Sequence, residues 1–398
     1  MGKINFDEKI IRRGTGSAKW DGLEGMFGIE NADDVIPMWV ADADFKVAPE
    51  IGEAVKKAVE LEIYGYKFGV PGTMEAIVDW QSRRSGFEAK KEWITTITGV
   101  VAAVNVAIQA YTKEGDGVII QSPVYYPFAN QIRANNRVIM EAPLKETEDN
   151  GILHYEIDFD VFEEVCAKEE AKMLILCSPH NPLGRVWTEE ELKKIGEITR
   201  KHGVFVVSDE IHSDIVMDGT KFVSFLGVNP ESHDCAMMCS SASKSFNIAG
   251  LHYAYAIVPN EENLKAYKAV TSRNSASSGS YVGAEALSAA YTKAEYYVDE
   301  FNAYVGENIN YMVNFVKENL PKVRIVKPEG TYLVWVDITQ MVSEDTDVNR
   351  FMADEVKVAC DPGYWFGETY KGYVRMNAAT TKANIVEAMN RFKAALEK

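Results

Sequence analysis

The chain alternates short apolar runs with longer amphipathic stretches over its first two thirds. The apolar runs are short and bounded by turn residues, as is typical of buried strands, and they lie at residues 96–98, 117–121, 173–176, 204–207, 236–239 and 253–258. Helical spacing of apolar residues recurs at 48–60, 72–84 and 100–111, and a capping box at Thr188 to Glu191 starts another helix. Strands that alternate with helices predict an α/β fold with a mostly parallel sheet covered by helices on both faces.

The pattern changes after about residue 285. A long amphipathic helix is predicted near 296–320, followed by short strands at 323–326, 331–336 and 373–377 and by a terminal helix. We therefore predict a large domain over residues 46–285 and a smaller α+β domain formed by residues 1–45 and 286–398. Residues 10–45 are predicted to be an irregular strap that crosses toward a site, where Trp39 and Phe45 either cover the core or contact a substrate.

Composition and charge narrow the range of partners. The 398 residues are 46% hydrophobic, and 42 Lys and Arg against 59 Asp and Glu give a net charge of -17. This charge repels nucleic acids and anionic membranes at long range. The five cysteines form no C-x-x-C pair, and no apolar leader or long apolar run is present. We expect a cytoplasmic protein with no disulfide framework, metal site, nucleic acid or membrane partner.

The stretch S-S-A-S-K-S-F-N-I-A-G-L at residues 240–251 directly follows a predicted buried strand and carries Lys244. A lysine amine at the end of a strand can attack a carbonyl, and the product is a Schiff base such as the one that holds pyridoxal phosphate, PLP. The alternative is a surface lysine in a serine-rich loop, because a lone S-x-x-K string is a weak signal.

Other polar and aromatic residues also follow predicted strands. Gly99 opens a helix whose first N–H groups can bind an anion, and Tyr125 offers a flat ring for stacking. Asn181, Asp209 and His212 come just after two further strands, at the sheet edge where open α/β proteins bind ligands. Singly, these residues are equally consistent with core packing, a turn, a solvated loop or a buried histidine. Together they supply the amine, acid, hydrogen-bond donors, stacking ring and phosphate cradle that PLP needs.

Five motifs in order resemble a known family: N-P-L-G at 181–184, S-D-E-I-H at 208–212, S-A-S-K-S-F-N-I-A-G-L at 241–251, P-G-Y-W-F-G at 362–367 and V-R-M-N-A-A at 374–379. The chain resembles, over nearly its whole length, the fold-type I PLP enzymes of the class I and II aminotransferase superfamily. The resemblance implies a mostly parallel seven-stranded sheet in the large domain. K-W-D at 19–21, W-V-A-D-A-D-F at 39–45 and His212 are similar to C–S lyases of the cystathionine β-lyase type.

The resemblance implies a role for each matching residue. For the cofactor, Lys244 would form the Schiff base and move the α-proton, Asp209 would pair with the pyridine nitrogen, and Tyr125 would stack on the ring. The remaining cofactor contacts would be hydrogen bonds: Asn181 and His212 to O3′, and Val100, Val101, Ser241, Ser243 and Tyr66 to the phosphate. Tyr66 would come from a second subunit, which implies a homodimer with shared active sites.

The same resemblance implies how a small amino-acid substrate binds. Arg375 would grip its carboxylate as a two-pronged ion pair, and Ala41 of the strap would also contact it. One departure concerns the phosphate: many aminotransferases have an arginine eight residues after the lysine, and this chain has His252. This difference leaves less positive charge at the phosphate and disfavours a plain transaminase.

The reaction implied is α,β-elimination from cystathionine or a related cysteine S-conjugate, which gives a thiol, pyruvate and ammonia. An aminotransferase of amino-acid metabolism shares the chemistry up to the loss of the α-proton and is the alternative. The lyase-like motifs contain no second arginine for a distal carboxylate, which disfavours an aspartate-type aminotransferase, and Arg273 is left open for that role. A further alternative is a regulatory protein that has kept the fold. The sequence does not determine which sulfur substituent the substrate carries.

Overall fold

The computed structural model describes residues 4–217, 219–276 and 278–396. Its strands are β1 (Ile36–Pro37), β2 (Ile94–Ile97), β3 (Gly117–Ile120), β4 (Val138–Glu141), β5 (Lys145–Asp149), β6 (Ile152–Glu156), β7 (Ala171–Cys177), β8 (Phe205–Asp209), β9 (Ala236–Ser240), β10 (Ala254–Ile257), β11 (Arg324–Val326), β12 (Leu333–Asp337), β13 (Val358–Ala359), β14 (Asp361–Pro362) and β15 (Tyr373–Asn377).

The α-helices are α1 (Ala18–Asp21), α2 (Leu23–Phe27), α3 (Pro49–Val59), α4 (Thr73–Ser85), α5 (Val100–Tyr111), α6 (Pro127–Ala134), α7 (Phe159–Cys166), α8 (Glu189–His202), α9 (Phe225–Val228), α10 (Glu261–Arg273), α11 (Tyr281–Lys293), α12 (Glu295–Asn319), α13 (Val348–Arg350) and α14 (Lys382–Leu396). Short 3₁₀ helices lie at Lys91–Trp93, Pro230–Ser232, Ala249–Leu251 and Gly363–Trp365, and a π-helix lies at Phe351–Val356. Among the described residues, no helix is long and apolar enough to cross a membrane.

A seven-stranded sheet with the order β2-β10-β9-β8-β7-β3-β4 forms the centre of the protein. Strand β10 is antiparallel to both of its neighbours, and the other pairs are parallel. This arrangement confirms the predicted α/β fold with a mostly parallel seven-stranded sheet. The carboxyl ends of β2, β3, β7, β8 and β9 therefore meet at one edge of the sheet.

The apolar runs form buried strands because both faces of this sheet are covered. Leu174 and Val206 belong to one hydrophobic cluster, whereas Ile175 and Val207 belong to a second. Successive residues of a strand point to opposite faces, so the two clusters lie on opposite sides of the sheet. Helix α5 packs its buried face within the second cluster.

A second sheet has six strands in the order β14-β15-β12-β11-β6-β5. Its first two strands in the chain, β5 and β6, form a hairpin that the sequence analysis did not predict, because K-E-T-E-D at 145–149 is charged and has no apolar alternation. Strand β6 pairs with β11, so a segment inside residues 46–285 joins the sheet of the C-terminal part. The domain boundaries themselves stay a prediction.

The N-terminal segment is more ordered than predicted. Residues 10–45 contain α1, α2 and β1, although an irregular strap was expected there. Trp39 and Phe45 are both buried, at 7% and 5% exposed, and pack against Phe27 and Phe6 respectively. Both rings therefore cover the core.

Candidate active site

The carboxyl ends of the parallel strands surround a cavity of about 200 Å³. Its walls come from segments that follow β2, β3, β7, β8 and β9, together with the strap. The residues that line it are Ala41, Thr98, Gly99, Val100, Val101, Tyr125, Cys177, Asn181, Asp209, Ile211, His212, Ser241, Ser243, Lys244, Ala249, His252 and Tyr253. Every site residue predicted from the sequence lines this cavity except Tyr66 and Arg375.

Lys244 lies four residues beyond the end of β9 and extends into the cavity. Its Nζ donates a hydrogen bond to the carbonyl oxygen of Ala41 at 2.6 Å. Burial lowers the pKa of Lys244 to about 8, Arg375 contributes in the same direction, and Asp42 and Asp209 oppose the shift. An amine with this pKa is partly neutral near pH 8, so its lone pair is available to attack a carbonyl carbon or to accept a proton.

Asp209 is the last residue of β8, where it faces Cys177 of β7 and Cys239 of β9 in the strand register. It is 4% exposed, and its Oδ1 accepts a hydrogen bond from the N–H of Ile211 at 3.1 Å. Burial raises the pKa of Asp209 to about 7, against the effect of the Ile211 N–H and of the Lys244 charge. A buried carboxyl group of this kind is stabilised as a carboxylate by a cationic N–H partner, such as a protonated pyridine nitrogen.

Asn181 and His212 line the same cavity as Asp209. Asn181 Oδ1 accepts a hydrogen bond from Arg375 Nη1 at 3.0 Å. Because the amide oxygen faces Arg375, the NH₂ group of the same amide is available to donate to another partner. His212 is 3% exposed, and its Nδ1 has no hydrogen-bond partner among the described residues. Burial lowers the pKa of His212 well below its usual value, with Lys244 and Arg375 adding to the effect, so the ring is neutral. An unpartnered buried nitrogen indicates a ligand atom at this place.

The start of α5 and the serines beside Lys244 also line the cavity. Val100 and Val101, the first residues of the helix, line the cavity, and their N–H groups have no side-chain cap, so they are available to an anion. Ser241 Oγ donates to the carbonyl oxygen of Tyr253 at 2.7 Å and accepts from the Ser243 N–H at 3.1 Å. The Ser241 hydroxyl therefore holds the loop together as well as facing the cavity.

Tyr125 forms a side wall of the cavity. Its ring packs edge-on against Phe128, with ring centroids 5.5 Å apart, and against Tyr126 at 5.6 Å. Burial raises the pKa of Tyr125, so the phenol is neutral. Tyr125 lines the cavity and supplies an aromatic ring of the kind on which a planar ligand can stack.

Arg375 lies on β15, behind Asn181, and is 2% exposed. Its guanidinium donates to Asn181 and to the carbonyl oxygen of Trp39 at 2.9 Å, and it forms an ion pair with Asp361. The ring of Phe366 lies 4.9 Å from its central carbon. These contacts fix the planar fork beside Asn181, which lines the cavity.

Tyr66 and Arg273 lie outside the set of residues that line the cavity. Tyr66 lies on the loop between α3 and α4 and is 109% exposed, so it does not line the cavity of its own chain. Arg273 is exposed at the end of α10 and bonds Gln109 at 3.5 Å. The sequence analysis did not find Asp361, Thr98, Cys177 or Tyr253, because their proximity to the site depends on strand pairing and not on a motif.

The donor set fits PLP. Lys244 supplies an amine, Asp209 a buried acid that lacks a cationic hydrogen bond among the described residues, and His212 an unpartnered ring nitrogen. Tyr125 and the loop of Lys244 line the same cavity of about 200 Å³, and the start of α5 suits a phosphate. This combination of fold and site defines the class of PLP-dependent enzymes of fold type I.

Comparison with known proteins gives the family. The family model "Aminotransferase class I and II" matches residues 33–392, and the chain belongs to this family. The chain is 37% identical over 393 residues to cystathionine beta-lyase PatB of Bacillus subtilis, covering 99% of this chain and 100% of PatB. The resemblance read from the motifs is thereby confirmed.

Solved structures agree with the sequence relatives. Cystalysin from Treponema denticola, which contains a pyridoxal 5′-phosphate cofactor, superposes with a TM-score of 0.93 at 33% identity, covering 99% of both chains. The PLP-bound C–S lyase from Staphylococcus hominis complexed with the inhibitor L-cycloserine superposes with a TM-score of 0.91 at 32% identity, covering 98% of both.

Proposed function

We propose that the protein is a PLP-dependent C–S lyase of the cystathionine β-lyase type, which cleaves cystathionine or a related cysteine S-conjugate to a thiol, pyruvate and ammonia. It is an enzyme with PLP as its cofactor and a small amino acid as its substrate. The observation that carries the proposal is the Lys244 amine, held at 2.6 Å from the Ala41 carbonyl in a cavity that also contains Asp209 and His212.

Lys244 and Arg375 would have different roles in the reaction. Bound PLP supplies an electron sink for the charge that develops on the substrate's α-carbon. Lys244 is the base that takes the α-proton, since its lowered pKa of about 8 lets it accept and return a proton near neutral pH. Arg375 holds the carboxylate and so fixes which bond at the α-carbon faces Lys244.

The types of residue that line the binding site favour elimination over amino transfer. Among the described residues that line the cavity there is no arginine. Arg375 lies outside this lining and donates a hydrogen bond to Asn181, which belongs to it. A second arginine for a distal carboxylate, as an aspartate-type aminotransferase would need, is absent from this described lining. A thiolate leaving group on the β-carbon needs no such cation, and its departure competes with reprotonation.

The reaction is tested with purified holoenzyme and cystathionine in the absence of any keto acid. Continuous release of pyruvate and free thiol is the expected result, and the Lys244→Ala variant is expected to release neither. The proposal is wrong if the enzyme converts one equivalent of substrate, stops, and resumes only when 2-oxoglutarate is added, because that behaviour belongs to an aminotransferase.

The homodimer with shared active sites is also part of the proposal. It is supported by the loop between α3 and α4, where Tyr64, Tyr66 and Phe68 are 74%, 109% and 115% exposed. Large aromatic side chains clustered on a surface favour a protein interface. Chains carrying Lys244→Ala and chains carrying Tyr66→Phe should regain activity when mixed, because one hybrid site then has both residues. Mixed chains that form dimers without regaining activity would contradict a shared site.

We further propose that the enzyme works in the cytoplasm without nucleic acid or membrane partners. All five cysteines are unpaired, which suits a reducing compartment, and the net charge of -17 opposes binding to polyanions. Cell fractionation with an antibody against the protein should recover it in the cytoplasmic fraction, and recovery from the periplasm or membrane would contradict this location.

A further inference from the structure

The ion pair between Asp361 and Arg375 is built into the six-stranded sheet. Strand β14 runs antiparallel to β15, and in this register Asp361 lies directly opposite Arg375. The two residues are 1% and 2% exposed, so the pair is fully enclosed. The carboxylate is therefore a permanent neighbour of the guanidinium that would bind the substrate's carboxylate.

Some polar atoms of the Arg375–Asp361 pair lack a hydrogen-bond partner among the described residues. Nη1 donates to Asn181, and Nη2 donates to Trp39 and to Asp361. Arg375 Nε and Asp361 Oδ1 are both buried, and neither has a hydrogen-bond partner among the described residues. Unpartnered atoms on both members of one buried pair are unfavourable, and a ligand or a proton that arrives there would relieve this.

A substrate carboxylate at Arg375 would place two carboxylates on one guanidinium that is 2% exposed. Two negative charges in such a place cannot both be balanced by one cation, so one carboxyl group takes a proton. We propose that Asp361 is a titratable counter-ion of Arg375: it neutralises the guanidinium before substrate binds and takes up a proton when the substrate's carboxylate arrives. The inference rests on the proposed function, because it assumes an amino-acid substrate at this site.

The titratable groups around Asp361 keep one protonation state between pH 6 and 8.5, so Asp361 is the group in this cluster that titrates. The titratable groups that face it are Arg375 from β15, Cys360 on its own segment, and Tyr125 and Tyr126 from the loop before α6. Burial raises the pKa of the Cys360 thiol and of both phenols, so all three stay protonated between pH 6 and 8.5. Burial also raises the pKa of Asp361 to about 6, although Arg375 opposes the shift.

This arrangement predicts that recognition of the carboxylate weakens as pH rises. Above about pH 6 the free site holds a charged Asp361, and each carboxylate that binds must bring one proton with it. Uptake of one proton corresponds to about a tenfold change in affinity per pH unit. Lys244 also faces Arg375, and each probe has to displace it from bound PLP, so the measurement has to separate its contribution.

The experiment compares two probes on the PLP-loaded enzyme. 2-Aminoisobutyrate has an amine and a carboxylate but no α-hydrogen or leaving group, and isopropylamine is the same amine without the carboxylate. Each dissociation constant is measured from the change in the absorbance of bound PLP between pH 6.0 and 8.5. The ratio of the two constants reports the carboxylate alone, because ionisation of Lys244 and of the amine affects both probes alike.

For the wild type, the preference for 2-aminoisobutyrate should fall about tenfold per pH unit above pH 7. Asp361→Asn should bind 2-aminoisobutyrate more tightly than the wild type at pH 8.5 and show a preference that does not change with pH. Asp337→Asn is the matched control, since Asp337 is 1% exposed and pairs across the same sheet with Arg324, and it should keep the wild-type slope.

A wild-type preference that is constant over this pH range would overturn the inference, and so would a slope that Asp361→Asn retains. The wild-type slope is a test even if the variant does not fold. The result is separate from the lyase reaction: enzyme that prefers the carboxylate with the expected slope but releases no pyruvate from cystathionine refutes only the proposed function. Enzyme that releases pyruvate but lacks the slope refutes only this inference.

Discussion

Two ion clusters in this protein, one partly buried and one fully buried, differ in how completely their charges are matched. The N-terminal ion cluster consists of Arg12, Lys19, Asp42 and Asp44, and within this described cluster no buried side-chain nitrogen or oxygen lacks a partner. The Arg375–Asp361 pair contains two buried atoms without a partner among the described residues. Matched buried charges hold a fold together, whereas unmatched ones indicate a place prepared for a ligand.

The pKa of the buried carboxyl group shifts in opposite directions in the two clusters: that of Asp44 is lowered and that of Asp361 is raised. Burial acts to raise the pKa of Asp44, but the charge and hydrogen bond of Lys19, with those of Trp20 and Arg12, lower it overall. At Asp361 burial prevails over Arg375 and raises the pKa to about 6. Asp44 has two cations near it and remains charged, whereas Asp361 pairs with one cation, Arg375, among the described residues.

The largest expected effect is on stability, from Lys19→Met. Lys19 is 0% exposed and donates to Asp44 at 2.8 Å, so its removal leaves a buried carboxylate with fewer partners. We expect the free energy of unfolding to fall by about 3–5 kcal/mol in denaturant titrations. Lys46→Met is the control, because its ion pair with Glu8 is exposed and should contribute less than about 1 kcal/mol. Equal losses in both variants would contradict a special role for the buried cluster.

Arg375→Lys should instead reduce activity. Lysine keeps the charge but not the planar fork, so the substrate's carboxylate and Asn181 lose their paired contacts. We expect kcat/KM for cystathionine to fall on the order of several hundredfold, which corresponds to roughly 3–4 kcal/mol. Arg324→Lys on the same sheet is the control, because Arg324 pairs with Asp337 and Glu146, neither of which lines the cavity, and it should leave kcat/KM within about threefold. Comparable activity of Arg375→Lys and the wild type would remove Arg375 from the site.

The two carboxylates should give stability a pH dependence of opposite sign. Asp44 has a lowered pKa, so its stabilisation is present above pH 3.8 and is lost as pH falls through its folded pKa. Asp361 is protonated in the folded protein up to about pH 6 but only to about 3.8 when unfolded, so its contribution decreases as pH rises between these values. The decrease amounts to about 3 kcal/mol.

Denaturant titrations of the wild type and Asp361→Asn between pH 4 and 7 check this sign. The difference in unfolding free energy between the two proteins should move in favour of Asp361→Asn as pH rises from 4 to 6 and level off above that range. A constant difference would mean that Asp361 has the same pKa in the folded and the unfolded protein.

A smaller effect is expected from Trp20→Phe. The indole Nε1 of Trp20 donates to Asp44 Oδ1 at 2.8 Å, and phenylalanine keeps most of the ring without this donor. A hydrogen bond to a charged group contributes about 1.5–3 kcal/mol, and the two cations that remain should limit the loss to about 1.5 kcal/mol in the free energy of unfolding. An unchanged midpoint in denaturant would show that Lys19 and Arg12 suffice for Asp44.

Most of the fold could be predicted because its signals are local. Strand β9 and the loop with Lys244 are adjacent in sequence, and the same holds for β8 with Asp209. A run of apolar residues must be buried, and a polar residue directly after it must lie at the end of the strand. The β5–β6 hairpin carries no such pattern, since its charged residues depend on partners such as Arg324 in a distant strand.

The sequence by itself determined the order of strands and helices, the residues at the strand ends and, through its motifs, the family and cofactor. Only the tertiary structure decided which distant residues meet: Arg375 bonds Asn181 across 194 positions of the chain, and Asp361 lies opposite Arg375 through the register of two strands. The physical reason is that secondary structure follows from neighbouring residues, whereas the pairing of charges and the burial that shifts a pKa depend on how separate strands pack together.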